Sequence, residues 1–524
     1  MRNSKKLSII YMSTSFVVIL FLFFYGASQF LTFFKTGAER SDMLLLDSHH
    51  INHFYQPKIQ WVNVGQNEGR IFEPYAQIKM GKDYLASYFY QFQAFKKRES
   101  QGLNDYFTEQ FRAKLLPLLT QFIEDKKMLD ATTISHEVEL KFYSQDGTVA
   151  TLEDRVVSFH KIRQLDQPEI SFYDTSQYQV MLLLEDNHWR IRHKVSQPLS
   201  NQNKVSSPSN QSQKVKDLEL LVEGEPFHIQ GINYYPQQYP WQEMWLNYTS
   251  IDFDSDFTLI QNLGFNTLRI FVPYGEFSDP GTSGQHLDHL QDLMDKIDRH
   301  GLKVIVTLFD FFLGYDVVDW SLSDRHAEKI VIRLKNHPAL LAWDLKNEPD
   351  LDFDTKGKQV VLDWLFFINR RIKTYDPHAV TTVGWSVPER AHHLADELDF
   401  VSFHYYEKTG QLAGRVAALR DSMEVSKPLF LGEVGKHSFS AFWYPWSNSP
   451  EDQANYYQNI LSESTTLGLH FATWTLYDFS SVPANVAGKW PWQRAPQKAY
   501  GIIDTKGNKK KTYSIIQNHL NETK

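Results

Sequence analysis

From Asp217 to the end of the chain, short apolar runs alternate with amphipathic stretches. The runs that predict strands are Phe227 to Asn233, Thr267 to Val272, Lys303 to Leu308, Leu340 to Leu345, Val380 to Gly384, Phe400 to Phe403, Pro428 to Gly432 and Phe471 to Thr475. Nearly continuous apolar strands belong to a parallel sheet covered on both faces. Between two of them, Leu287, Leu290, Met294 and Ile297 make one helical stripe, and Gly301 follows as a cap. Eight such repeats in roughly 300 residues predict a (β/α)8 TIM barrel, an α/β domain over 217–524. A doubly wound open sheet fits less well, because no glycine-rich phosphate turn follows the first strand.

The periodicity differs upstream, over about residues 50–195. Gly81 to Lys97 and Leu103 to Lys126 carry helical patterns, with Leu85, Tyr88, Phe92 and Phe95 on one face. Ile134, Val138, Leu140 and Phe142 then alternate, Asp146-Gly147 signals a hairpin, and two further strands end at Trp189 and Ile191. Helices first and an antiparallel sheet afterwards predict a small α+β unit. His136, His160 and His193 read as partly exposed strand histidines with no chemistry, and the unit as a spacer or a dock for envelope partners. Residues 196–216 are rich in Ser, Asn, Gln and Lys and cannot build a core, so they predict a flexible linker that leaves the last domain some freedom.

At the N-terminus, Arg2, Lys5 and Lys6 precede an uncharged run from Leu7 to Phe34, long enough to cross a bilayer. Tyr25 stands where a cleavage site before Ala27 needs a small residue, so residues 1–35 predict an uncleaved anchor with a cytoplasmic tip. Everything after Lys35 is then expected on the far, periplasmic or extracellular, side.

Composition narrows the function without choosing it. The net charge of −8 gives no reason to expect a nucleic-acid partner. The absence of cysteine excludes disulfides and thiolate metal sites, and no motif calls for a metal or cofactor. An aromatic share of 15%, including 13 Trp, supplies the flat rings that sugar-binding surfaces use, although large cores use them too.

Polar residues interrupt the apolar runs at the strand ends. Strand two carries Arg269, strand four ends in Asn347, Glu348 and Pro349, and strand six runs into His404 and Tyr406. Strand seven ends in Glu433 within KPLFLGEVG, and Trp474 closes strand eight. Taken singly, each has an ordinary explanation as cap, ion pair or core residue. As a set they project toward one barrel face, where two glutamates can flank a glycosidic bond. Arg269 and Tyr406 are placed to keep Glu433 ionised, and the negative charge of Glu433 favours a protonated Glu348. Asn347 suits a sugar 2-hydroxyl and Trp474 a stacking floor; His404 either orients Glu348 or touches substrate, and Asp344 reads as structural. Tyr234, Tyr235, Tyr239, Trp241, Phe442, Trp443, Trp446, Trp490 and Trp492 fall between periodic segments and predict an aromatic-walled cleft for a carbohydrate chain.

The motifs GINYYP, NTLRIF, WDLKNEP, SFHYY, LGEVG and AYGIIDTKGNKKKTY, spread over about 217–520, resemble clan A glycoside hydrolases, with family 5 nearest and the barrel of family 2 next. The resemblance implies a retaining hydrolase of β-glycosidic bonds, with Glu348 as acid/base and Glu433 as nucleophile. One departure is Phe309-Asp310 at the end of strand three, where many family 5 members present a histidine. Transglycosylation by the same residues, and a non-catalytic polysaccharide-binding or assembly role, are the alternatives. The 50–195 unit, with its closing HWRIRHKV, resembles nuclear transport factor 2-like domains.

Overall fold

Eight parallel strands close into a barrel in chain order: Gln230–Asn233, Thr267–Pro273, Lys303–Asp310, Leu340–Asn347, Thr381–Trp385, Val401–Tyr405, Leu429–Val434 and His470–Thr473, the last pairing with the first. The computed structural model describes residues 55–165, 167–198, 215–216, 218–278, 283–442, 444, 446–488 and 490–522. All eight predicted strands are present, their ends displaced by at most three residues. Their side chains are almost uniformly buried, as the apolar runs require, because helices cover the outside and packed side chains fill the inside. In the helix Ser283–Arg299, Leu290, Met294 and Ile297 are fully buried.

Upstream, the helices Pro74–Lys97, Leu103–Tyr106 and Glu109–Glu124 precede long strands, Lys127–Tyr143, Val149–Gln164, Ile170–Glu185 and His188–Gln197, joined as an antiparallel meander. The strand Lys58–Val62, which was not expected, adds a parallel edge beside Lys127–Tyr143. His136 departs from its expected exposure, being buried and paired. Its Nδ1 lies 2.8 Å from Asp154 Oδ2, its Nε2 lies 2.8 Å from Thr133 Oγ1, and the Tyr84 hydroxyl donates to the same Asp154 oxygen at 2.7 Å. The network ties the first helix to two strands, and the 18-residue separation of His136 and Asp154 becomes a contact only through the hairpin register. His160 is half-buried against Ser158, and His193 is exposed.

The expected freedom between the two domains is not observed, because residues 57–524 pack as one unit. Phe159 packs at 4.5 Å, tilted, against Trp320 of the barrel helix Trp320–Leu334, which stacks in turn on Phe367. Around this apolar contact, Lys161 pairs with Asp363, and Lys58 Nζ lies 2.5 Å from Glu328 Oε1. The expected linker also ends early: Val215–Lys216 pairs with Glu219–Val222, and Val215, Leu220 and Val222 pack beneath the barrel against Ile229, Ile305 and Phe430. Residues 199–214 and the apolar run from Leu7 to Phe34 lie outside the described residues. Among the described residues no helix is long and apolar enough to cross a membrane.

Phe159 is 5% exposed and belongs to the same apolar cluster as the barrel core. Phe159→Ala should therefore destabilise the whole 57–524 unit in denaturant titrations, by about 3 to 5 kcal/mol, as for other buried phenylalanines. A loss confined to one of two resolved transitions would mean that the domains are not coupled through this contact.

Candidate active site

The carboxyl ends of the barrel strands surround a cavity of about 430 Å³ whose wall includes Asn347, Glu348, Tyr406, Glu433 and Trp474. Glu433 is the fifth residue of strand seven and is buried. Glu348 directly follows strand four with φ +45°, a left-handed conformation that costs an L residue about 1 kcal/mol or more. Its amide donates to the Gly384 carbonyl at 2.7 Å, and Pro349 prevents the strand from continuing. Pinned in this way, its carboxylate is turned into the barrel mouth.

Arg269, fully buried on strand two, organises what lies beneath. Its Nη1 donates to Glu433 Oε1 at 2.7 Å and to Asn233 Oδ1 at 2.9 Å. Nη2 donates to Asp344 Oδ2 at 2.6 Å and to Asn347 Oδ1 at 2.8 Å, and Nε donates to the same Asp344 oxygen at 3.0 Å. A guanidinium has five N–H donors, and all five are engaged. Burial alone would lower the pKa of Arg269, but the charges of Asp344 and Glu433 more than offset this and raise it. Asp344 also accepts from Thr307 Oγ1 at 2.8 Å and from the Gly384 amide at 2.9 Å. A side chain at position 384 would have no room, since a Cβ there would lie 2.8 Å from Arg269 Nη2 and 3.1 Å from His404 Nε2.

The second oxygen of Glu433 accepts from the Tyr406 hydroxyl at 2.6 Å. His404, with no exposed side-chain surface, places Nδ1 2.8 Å from Glu348 Oε1 and 3.6 Å from Glu433 Oε2. Burial opposes the imidazolium, yet the negative charge of Glu433 and the hydrogen bond to Glu348 raise the pKa of His404 above its ordinary value. Burial likewise pushes Glu348 up, but the hydrogen bond and charge of His404, helped by Arg269 and Lys346, leave it below the usual carboxylate range. Glu433 was expected to favour a protonated Glu348; His404, 2.8 Å from Glu348 Oε1, acts in the opposite direction and holds the Glu348 pKa down.

Of the residues expected to bind substrate, Asn347, Tyr406 and Trp474 line the cavity, while Arg269 and His404 stand behind the two glutamates. Tyr234, Tyr235 and Trp241, expected as loop platforms, are buried in the core, though Tyr235 and Trp241 face the cavity from there. Trp490 and Trp492 are exposed and stacked at 5.0 Å, Phe442 and Trp446 are exposed, and Trp443 lies outside the described residues. Asn233 and Lys346 were not expected at the site, although Asn233 stood in the GINYYP motif and Lys346 in WDLKNEP.

Donor atoms of Glu348, His404 and Glu433 lie within 4.8 Å of one another. This is the spacing a cation needs, but the Glu433 oxygens are engaged by Arg269 and Tyr406, and His404 Nδ1 by Glu348. Two carboxylates this close are suited to acting on opposite sides of one bond, since retaining glycosidases hold theirs about 5 to 5.5 Å apart and inverting ones about 6.5 to 9.5 Å.

Residues 221–480 match the family model of cellulase (glycosyl hydrolase family 5). A putative mannan endo-1,4-beta-mannosidase from Arabidopsis thaliana is 24% identical over 44% of this chain and 74% of its own. A beta-glucuronidase from Pongo abelii is 24% identical over 55% of this chain, which spans only 45% of that relative's length. Among solved structures, an exo-beta-1,4-mannosidase from Opitutaceae bacterium strain TAV5 superposes with a TM-score of 0.50 at 21% identity, over 59% of this chain and 62% of its own. At that identity the likeness establishes the barrel fold.

Burial raises Asp310, on the cavity wall, from its ordinary 3.8 to about 7, with Lys346 and Arg269 opposing and Glu433 reinforcing the shift. Between these values the unfolded chain ionises while the folded chain holds the proton, so stability falls as pH rises from about 4 to about 7, by up to about 4 kcal/mol. Asp310→Asn should accordingly melt above the parent at pH 8 and level with it near pH 4. The same shift at both pH values would contradict the burial argument.

Proposed function

We infer, from a chain whose residues 221–480 form a clan A barrel of the glycoside hydrolase family 5 kind, that it is a retaining glycosidase hydrolysing O-glycosyl bonds in a β-linked oligo- or polysaccharide. The observation that carries this reading is the approach of Glu348 and Glu433 to within 4.8 Å of one another on one cavity wall. Glu433 attacks the anomeric carbon, the glycosidic C–O bond breaks, and the leaving oxygen takes the proton shared by Glu348 and His404. Esterification removes the negative charge of Glu433. Glu348 then accepts a proton from water, whose oxygen attacks the same carbon and frees Glu433 with retained configuration. Asn347, held by Arg269, faces the sugar 2-hydroxyl, and Trp474 provides the floor.

Relatives described as mannosidases favour a β-mannan among the candidate polymers, beside β-glucan and an envelope exopolysaccharide. A second hollow of about 950 Å³, lined by Lys408, His437 and Trp446, shares Tyr406 and Tyr500 with the first, giving room for more than one sugar ring. The run Leu7 to Phe34 supports a single-pass anchor that leaves the barrel outside the cytoplasm. The 57–198 unit is then a rigid mount and a surface for envelope partners, with its likeness to nuclear transport factor 2-like domains resting on element order.

The two carboxylates should separate by role. Glu433→Gln should abolish turnover of every substrate, because no covalent intermediate can form. Glu348→Ala should lose far less on an aryl glycoside whose leaving group needs no proton, and azide should accelerate it. Identical responses of both variants to leaving group and azide would refute the assignment. Full-length protein should sediment with membranes through a salt wash, and protein starting near Ser41 should not. A soluble mature chain beginning after Ala27 would rule out the anchor.

A further inference from the structure

We propose that Asp310 and Lys346 select the sugar seated against Glu348 and Glu433 by gripping adjacent hydroxyls of an uncharged hexopyranose, a specificity that rests on the glycosidase reading above. Both side chains come from carboxyl ends of neighbouring strands and line the same cavity as the two glutamates, though they are only 6% and 5% exposed. The displacement chemistry uses neither of them.

Both are ionisable groups held loosely at a site where other such groups are held tightly. Lys346 Nζ lies 3.5 Å from Asp352 Oδ2 and 3.5 Å from the Asn347 carbonyl, well beyond the roughly 2.7 to 2.9 Å of a charge-assisted bond. Asp310 accepts a long 3.4 Å contact from the Tyr235 hydroxyl and a backbone hydrogen bond from Phe311, and no cation among the described residues lies in short contact with it. By contrast, Arg269, on strand two beside the Asp310 strand, makes five bonds of 3.0 Å or less. Buried charges without short partners are costly, so a binding site is where such a pair has reason to persist. Burial raises Asp310 as well, which marks its carboxyl as poorly compensated by the protein alone.

The ligand class follows from the charge balance of the wall. Asp310, Glu348, Asp352 and Glu433 face the cavity, and Lys346 is the single cationic side chain among its described lining residues. A uronic acid would bring a further anion into this field. An uncharged ring would instead let one hydroxyl donate to Asp310 while its neighbour accepts from Lys346, with Trp474 against the ring face. The departure at the end of strand three, aspartate in place of histidine, is therefore a choice of sugar.

The test uses the full chain with Asp310→Asn and Lys346→Met, alone and combined. Binding of mannose, glucose and glucuronate is followed by calorimetry, and turnover of the corresponding nitrophenyl β-glycosides is measured separately. The parent should bind at least one uncharged sugar and prefer it to glucuronate. Each variant should weaken that sugar about tenfold, the loss expected for one hydrogen bond to a charged group. The effect should fall on KM more than on kcat, and a deoxy analogue lacking the gripped hydroxyl should discriminate parent from variant less than the intact sugar does. Melting curves establish that the variants fold. Unchanged affinity in folded variants, preference of the parent for glucuronate, or no sugar binding at all would overturn the proposal. Binding with the expected losses but no turnover of any glycoside would leave it standing and reject the hydrolase reading instead.

Discussion

The ion cluster at Arg269 is the constraint on which the barrel mouth depends. A guanidinium with no exposure to water needs compensating charge, and Asp344 and Glu433 supply it from strands four and seven. Removing one member of such a cluster leaves an uncompensated charge in the interior, a far larger loss than that of a surface pair. The same donors fix Asn233 and Asn347, so one side chain sets the positions of strands one, two, four and seven at their carboxyl ends. Precision at the two glutamates is a consequence of charge cancellation deeper in the barrel.

The cluster also explains which parts of the site were legible in the sequence. Glu348 and Glu433 could be found because each interrupts an apolar strand within a short motif, and Arg269 because it does the same on strand two. Asp344 could not be told from a structural aspartate, since its value lies in a partner 75 residues away that only barrel closure brings near. Lys346 was hidden for a similar reason: it lies in a motif whose other members drew the chemistry. Tyr235 and Trp241 looked like loop residues because they lie between periodic segments, yet the first loop folds back into the core.

The fold was legible wherever periodicity is strong, and all eight barrel strands fall close to their apolar runs. The docking of the upstream unit was not legible. Phe159 occupies an ordinary alternating strand position and Trp320 an ordinary helix start, and nothing in either pattern says that the two rings face one another. The polar composition of 196–216 carries no information about the surfaces on either side.

That docking changes what the polar segment does. Two bodies already joined by an aromatic contact and paired charges need no spacer to set their separation, since closing a loop between fixed points depends only weakly on its length. The orientation of the cavity relative to the upstream unit is then fixed by that contact rather than left to a tether.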